Sequence, residues 1–369
     1  MRKLEAYEFF CGGGMARLGL GPGWRVTLAN DMDAAKCAAY RANFGEEDLI
    51  EGDIHDLTPA DLPGRADLAW ASFPCQDLSL AGKRGGLTAR RSAAFWGFHA
   101  LIEALRAEGR APRTLVIENV VGFATSRGGA DLALALGALA ALGYRYDVRI
   151  VDAAAFLPQS RPRLFIIAWL APARAMGEIA SDLSAKLAAL PDEARAALHP
   201  LPLSPTPRAN MALSQVVETD APVFGDDQTR ALLTMMSETQ RAKLDEAKAR
   251  AARTCAPVYG AGFRRMRSGA QRLEARFDIA GCLRTPAGGS SRQLLLIVEP
   301  NGTVSARRMT PREAARLMGL PESYELPASE TQALKLSGDG VAVPVVRWIV
   351  NELVAPLLRG SLEPAAAAE

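Results

Sequence analysis

A short apolar strand that runs into a triple-glycine turn and then a helix limits this chain more than any other feature. Tyr7-Glu8-Phe9-Phe10 ends the strand, and Cys11-Gly12-Gly13-Gly14-Met15-Ala16-Arg17-Leu18-Gly19-Leu20 makes the turn and the helix. Such a turn lets a ligand approach the backbone closely. A second strand, Arg25 to Asn30, ends in Asp31, an acid about 20 residues after the glycines and suited to ribose hydroxyls. A third strand end carries Asp53-Ile54. Glycine, acid and acid at three successive strand ends suit an adenosine-type ligand without a polyphosphate. The chain has no Gly-Lys-Ser or Gly-Lys-Thr loop, which argues against a nucleotide triphosphatase.

The rest of the first 170 residues continues the alternation of strand and helix that a doubly wound α/β sheet requires. Ala66 to Ala71 reads as a buried parallel strand, and Ser72-Phe73-Pro74-Cys75-Gln76-Asp77-Leu78-Ser79 follows it. This places the Cys75 thiol on a loop at a strand's carboxyl end, where open α/β sheets keep their chemistry. A thiol there can act as a nucleophile. Its bland alternative is a small buried hydrophobe. Leu115-Val116-Ile117-Glu118-Asn119-Val120 is another apolar strand, ending in a carboxylate, and Gln159-Ser160-Arg161-Pro162-Arg163 leads into a strand from Leu164 to Trp169. Thiol, carboxyl and two guanidinium groups thus fall at strand ends.

In order and spacing these motifs resemble the DNA cytosine-5 methyltransferases of bacterial type. The resemblance covers Phe10 to Gly14, Asn30-Asp31, Asp53-Ile54, Phe73-Pro74-Cys75-Gln76, Glu118-Asn119-Val120 and Gln159-x-Arg161-x-Arg163. It continues in Arg307-Arg308-Met309-Thr310-Pro311-Arg312-Glu313 and Gly338-Asp339-Gly340-Val341, so that it spans roughly residues 7 to 350. It implies a Rossmann-like methyltransferase sheet with a second, smaller target-recognition domain. It also implies transfer of a methyl group from S-adenosylmethionine, which leaves as S-adenosylhomocysteine, to carbon 5 of a cytosine flipped out of double-stranded DNA. By resemblance Cys75 adds to carbon 6, Glu118 grips N3 and the exocyclic amine, Arg163 holds the carbonyl oxygen at position 2, and Arg161 supports that pocket. Phe10, Gly12, Gly14, Asp31, Met32, Asp53, Ile54, Pro74, Asp339 and Val341 would hold the cofactor. Pro74, Gln76, Ser79, Lys83 and Arg91 would meet the target base and the DNA. Met15, Leu336 and Asp339 depart from the family pattern, in which a glycine, a glutamine and an asparagine are usual.

Composition is consistent with this reading. A chain of 369 residues that is 49% hydrophobic, with mean hydropathy near zero, can bury one large core and a smaller one. The five cysteines form no Cys-x-x-Cys pair, so neither zinc nor a disulfide framework is expected. No signal segment or long uncharged apolar run appears, and a cytoplasmic, nucleoid-associated monomer is expected. The net charge of +2 confines DNA affinity to local patches. The main patch lies between 241 and 276; Arg264, Arg265 and Arg267, read as a glycine-flanked loop after Gly260-x-Gly262, suit phosphate or groove contact, with phosphates favoured for Arg265 and Arg267 over guanine readout, and Arg284 lies in a further polar loop, 281 to 293. Expected boundaries are 1–170 for the catalytic domain, 171–306 for target recognition, 307–359 for the return to the catalytic domain, and 360–369 for a disordered tail. Thr310 should cap a helix that begins at Pro311. A tRNA methyltransferase, a silent DNA-binding regulator and a nicotinamide dehydrogenase are the rivals. The first lacks its Cys-Phe-Thr tripeptide here, the second would lose Cys75 or Glu118, and the third leaves Cys75, Glu118 and the paired arginines unexplained. A cognate restriction endonuclease would be the partner in a restriction-modification setting.

Overall fold

Strands of continuous apolar residues, buried on both faces, form the first unit. In the computed structural model, which describes residues 2–73, 93–170, 183–202, 205–207, 211–285 and 292–359, the chain divides into two compact units. The first comprises residues 1–152, 162–206 and 343–369, and the second 153–161 and 207–342.

The first unit is built on seven strands: β1 (Leu4–Phe9), β2 (Trp24–Asp31), β3 (Leu49–Glu51), β4 (Leu68–Ala71), β5 (Thr114–Val120), β6 (Tyr144–Asp152) and β7 (Pro162–Leu170). Their order is β3-β2-β1-β4-β5-β7-β6, and all neighbours pair in parallel except β7, which runs antiparallel to both β5 and β6. The order reverses between β1 and β4, and the ends of these two strands therefore flank the crevice where doubly wound sheets take ligands. Helices α1 (Met15–Leu20), α2 (Ala34–Phe44), α3 (Ala93–Ala107) and α4 (Ala130–Ala141) connect the strands, and α5 (Ser184–Ala188) and α6 (Asp192–Ala197) follow β7. Phe95, Phe98 and Ile102 of α3 and Leu132, Ala135 and Leu136 of α4 are buried against Phe9, Leu115, Ile117 and Ile166 of the sheet.

The second unit holds α7 (Asp226–Thr234) and α8 (Glu238–Thr254) against an antiparallel sheet of β8 (Val258–Arg267), β9 (Ala270–Phe277), β10 (Leu294–Val298) and β11 (Val304–Arg308), ordered β11-β10-β8-β9. Leu244, Ala247 and Ala251 of α8 pack with Leu273, Ala275, Leu296 and Val298. Here the structure corrects the reading of residues 260 to 267: they lie inside β8 and not on a loop. Gly260 and Gly262 permit close strand approach, because a Cβ at these positions would stand 2.8 Å from the Phe277 ring and 2.6 Å from the Glu274 carbonyl.

Two helices follow, α9 (Pro311–Leu317) and α10 (Glu330–Asp339). Thr310 accepts from the Glu313 amide and Glu313 answers at the Thr310 amide, a reciprocal cap with proline at the first turn. The second unit keeps β11, α9 and α10, so the chain returns at Val343 and not at 307. The reason is that β11 pairs with β10 and α10 packs on α9. Helix α11 (Val343–Ile349) then joins the first unit and packs on α1, and α12 (Ala355–Arg359) ends the described chain. Gly19 makes the α1–α11 approach possible: a Cβ there would stand 2.3 Å from the Val346 Cβ. The run Glu330–Arg359 is apolar and long enough to cross a membrane, but 72% of its most apolar window is buried, as in a core helix.

Candidate active site

The turn after β1 is built from left-handed backbone. Phe10, Gly12 and Gly14 have φ of 56°, 53° and 75°. For Gly14 a side chain is also excluded by space, since a Cβ would lie 2.3 Å from the Phe44 ring. Phe10 carries the same conformation without being glycine, a local strain that clusters at ligand turns and that composition does not reveal.

The acid at the end of β2 is tied to this turn. Asp31 Oδ2 accepts from the Gly12 amide at 2.8 Å and Oδ1 accepts from the Asp33 amide at 2.8 Å. Each carboxylate oxygen has a second lone pair, so Asp31 can also receive hydroxyl donors. Beside it Met32 is 69% exposed. Asn30 donates to the carbonyls of Ile50 and Gly52, 3.0 Å each, which fixes the β3 end next to β2. Asp53 then accepts from the His55 amide and stands 2.7 Å from the His55 ring, contacts that hold its carboxyl below the ordinary range, while Ile54 is buried. A strained glycine turn, a buried acceptor with lone pairs to spare, an exposed acid and an exposed thioether fit an adenosine with ribose hydroxyls.

Below the turn, Glu8 is fully buried. Its Oε1 accepts from the Arg17 amide at 3.2 Å, Oε2 has no hydrogen-bond partner among the described residues, and burial pushes its carboxyl up to about 8.

At the far side of the crevice the β5–β7 register brings a carboxylate and a guanidinium together. Arg163 pairs with Val120, two residues from Glu118, so both side chains lie on one face as diagonal neighbours. Arg163 Nε stands 3.2 Å from Glu118 Oε1, and both side chains are largely covered. The neighbouring Asn119 is buried and donates through Nδ2 to the Phe73 carbonyl at 3.2 Å, with its Oδ1 on the Val120 amide. The chain therefore enters the Cys75 segment from a point held at the strand end that carries Glu118. Pro74, Cys75, Gln76, Ser79, Lys83 and Arg91 lie outside the described residues.

Arg161 and Gln159 belong to the second unit. Arg161 donates to the carbonyls of Leu283 (3.2 Å), Gly338 (2.9 Å) and Gly340 (2.6 Å). A cation on the last carbonyls of α10 is a favourable cap. It fixes the turn that carries Asp339, whose carboxylate accepts from Thr285, and the buried Val341. Gln159, also buried, donates to the Leu317 carbonyl at 2.6 Å and accepts from the Leu283 amide at 3.1 Å. The Gln-x-Arg half of the array is thus an internal strut of the second unit, and the last arginine alone accompanies Glu118. Of the departures, Met15 and Leu336 are buried core residues. Among the described residues no group of three or more His, Cys, Asp or Glu is arranged to hold a metal ion.

Comparison with known proteins agrees with this architecture. The family profile described as C-5 cytosine-specific DNA methylase matches residues 4–355. The Type II methyltransferase M1.ScrFI of Lactococcus lactis subsp. cremoris is 29% identical over 95% of this chain and 78% of its own length. The Type II methyltransferase M.HaeII of Haemophilus aegyptius is 26% identical over 96% of this chain and 94% of its own. In fold, the chain is similar to the Entamoeba histolytica methyltransferase EhMeth, with a TM-score of 0.64 at 15% identity, covering 98% of this chain and 100% of that one.

Proposed function

We propose, for a chain that belongs to the C-5 cytosine-specific DNA methylase family, that it methylates carbon 5 of a cytosine flipped from double-stranded DNA, through a covalent adduct on Cys75. S-adenosylmethionine, the methyl donor that the family uses, supplies an electrophilic methyl group on sulfonium. Gly12, Gly14, Asp31, Met32, Asp53 and Ile54 would hold its adenosine half. The observation that carries the reading is the Glu118–Arg163 pair beside the anchored Phe73 carbonyl.

Carbon 5 of cytosine is a weak nucleophile. Addition of the Cys75 thiolate to carbon 6 moves electron density to carbon 5, while Glu118 hydrogen-bonds the ring at N3 and the amine and takes up the charge change there. Arg163 orients Glu118 and, as the family resemblance implies, holds the carbonyl oxygen at position 2. Once carbon 5 carries the methyl group it loses its proton to solvent, and the C6–S bond breaks to release the Cys75 thiolate, which restores the aromatic ring. Target recognition falls to the second unit, with Arg284 among the contacts, and Lys83 and Arg91 meet phosphates. The substrate places the protein with the nucleoid, in the cytoplasm, and a restriction endonuclease that cuts the same sequence is its natural companion.

Expression in a host free of 5-methylcytosine, followed by methylation sequencing, tests this. The wild type should mark one sequence, Cys75→Ser should mark none while binding the cofactor, and 5-fluorocytosine DNA should form a stable adduct. Methylation by the serine variant, or transfer to tRNA alone, overturns the assignment.

A further inference from the structure

The β8–β9 ribbon bears groups that the transfer chemistry does not use. Its register pairs Phe263 with Glu274 and Arg265 with Arg272, so strand alternation gathers Arg265, Arg267, Arg272, Glu274 and Arg276 on one face. The opposite face carries Leu273 and Ala275 into the core with α8. The basic face therefore points away from the helices, at an edge strand of its sheet.

One acid sits in the middle of this face, and its bonds are specific. Glu274 accepts from Arg267 Nε at 2.6 Å and Nη2 at 3.3 Å, and stands 3.4 Å from Arg265 Nε. The Arg265 guanidinium in turn lies over the Phe263 ring, 5.7 Å from its centroid. Glu274 thus grips Arg267 along one edge of the guanidinium fork, which leaves the Nη1–Nη2 end turned outward on a side chain that is 58% exposed.

A surface made only to follow phosphates has no use for a carboxylate at its centre, because the carboxylate repels them. A base reader benefits from one: the acid fixes the rotamer of the arginine before binding and penalises misplaced contacts. A two-stranded ribbon fits the major groove, and a guanidinium fork matches guanine N7 and O6. We infer that Arg267, held by Glu274, reads a guanine of the recognition sequence in the major groove, and that Glu274 is a positioning residue for sequence choice. The inference rests on the DNA methyltransferase reading above. It reverses the preference for a phosphate role at this arginine, which suited residues on a loop.

The test compares the motif methylated in cells by the wild type, Glu274→Gln, Arg267→Lys and Arg272→Ala. The lysine variant keeps the charge and loses the fork. Glu274→Gln and Arg267→Lys should relax the motif at one and the same G·C pair, with discrimination there falling roughly 5- to 150-fold. Arg272→Ala should methylate the unchanged motif more slowly, with a salt slope flatter by about one. An unmethylated genome with the wild type would refute the enzyme reading itself. A methylating wild type whose motif survives both Glu274→Gln and Arg267→Lys overturns the inference, and relaxation by Arg267→Lys alone removes Glu274 from it.

Discussion

Replacing Asn119 with aspartate isolates the link between β5 and the entry to the Cys75 segment. The amide donates to the Phe73 carbonyl inside a buried environment. Loss of one partner there leaves a buried acceptor unsatisfied, worth about 1–3 kcal/mol. If that energy holds the nucleophile segment in the transition state, Asn119→Ala lowers kcat roughly 5- to 150-fold at about 1.4 kcal/mol per decade. Aspartate has the same shape but faces the carbonyl with an oxygen, and the ionised form is buried against another acceptor. Asn119→Asp should therefore be the slower variant at neutral pH. Burial and the facing carbonyl both raise the pKa of the new carboxyl, and its protonated form can donate to Phe73 again. Its activity relative to Asn119→Ala should consequently rise as pH falls. Initial rates at saturating DNA and labelled cofactor, with cofactor affinity by calorimetry, decide the matter. Equal kcat in all three proteins, or a loss confined to cofactor binding, would refute the argument.

Asp31→Ala should weaken S-adenosylmethionine by about 1.5–3 kcal/mol, since a charged acceptor is lost and the Gly12 amide is released; unchanged calorimetric affinity would place the cofactor elsewhere. Glu8 titrates near 4.5 when unfolded and at about 8 when folded, so its folded form favours the proton. Stability is full below pH 4.5 and declines as pH rises to about 8, by on the order of 5 kcal/mol, and urea titrations should show Glu8→Gln flattening that decline and exceeding the wild type at pH 8.5. Glu313 receives Arg307 Nη1 at 2.7 Å and Nη2 at 2.5 Å, with both side chains almost fully covered. Glu313→Gln strands a buried guanidinium and should cost about 3–5 kcal/mol in the second unit, read as a lower urea midpoint.

Local signals carried much of this architecture. Apolar runs such as Leu115 to Ile117 announce buried parallel strands because both faces must be covered, and the glycines after Phe10 announce a turn that other residues resist. What depends on pairing between distant segments is not written locally. Arg161 and Arg163 are two residues apart and look equivalent, yet β7 begins between them. Arg163 follows the β5 register to Glu118, while Arg161 caps α10. Gly260 and Gly262 read as a break because glycine is usually punctuation. Only the partner strand, with Phe277 and Glu274, shows that the space left by the missing side chains is filled. The return at Val343 was hidden for a similar reason, since β11 needs β10 to define its unit.

The contact between Gly19 and Val346 also bears on how the protein is made. At ribosomal rates of about 5–20 residues per second, the segment that covers α1 emerges roughly 15 to 65 s after α1 itself. Throughout that interval the nascent glycine turn has its strand neighbours but not its last helix, and the apolar flank of α1 is open to chaperones or to aggregation. A messenger truncated before codon 343 would yield polypeptide that carries every residue of the Glu118–Arg163 pair and of the glycine turn, and still leaves that flank bare. The α1–α11 contact is thus a late folding event, with among the longest sequence separations in the described residues.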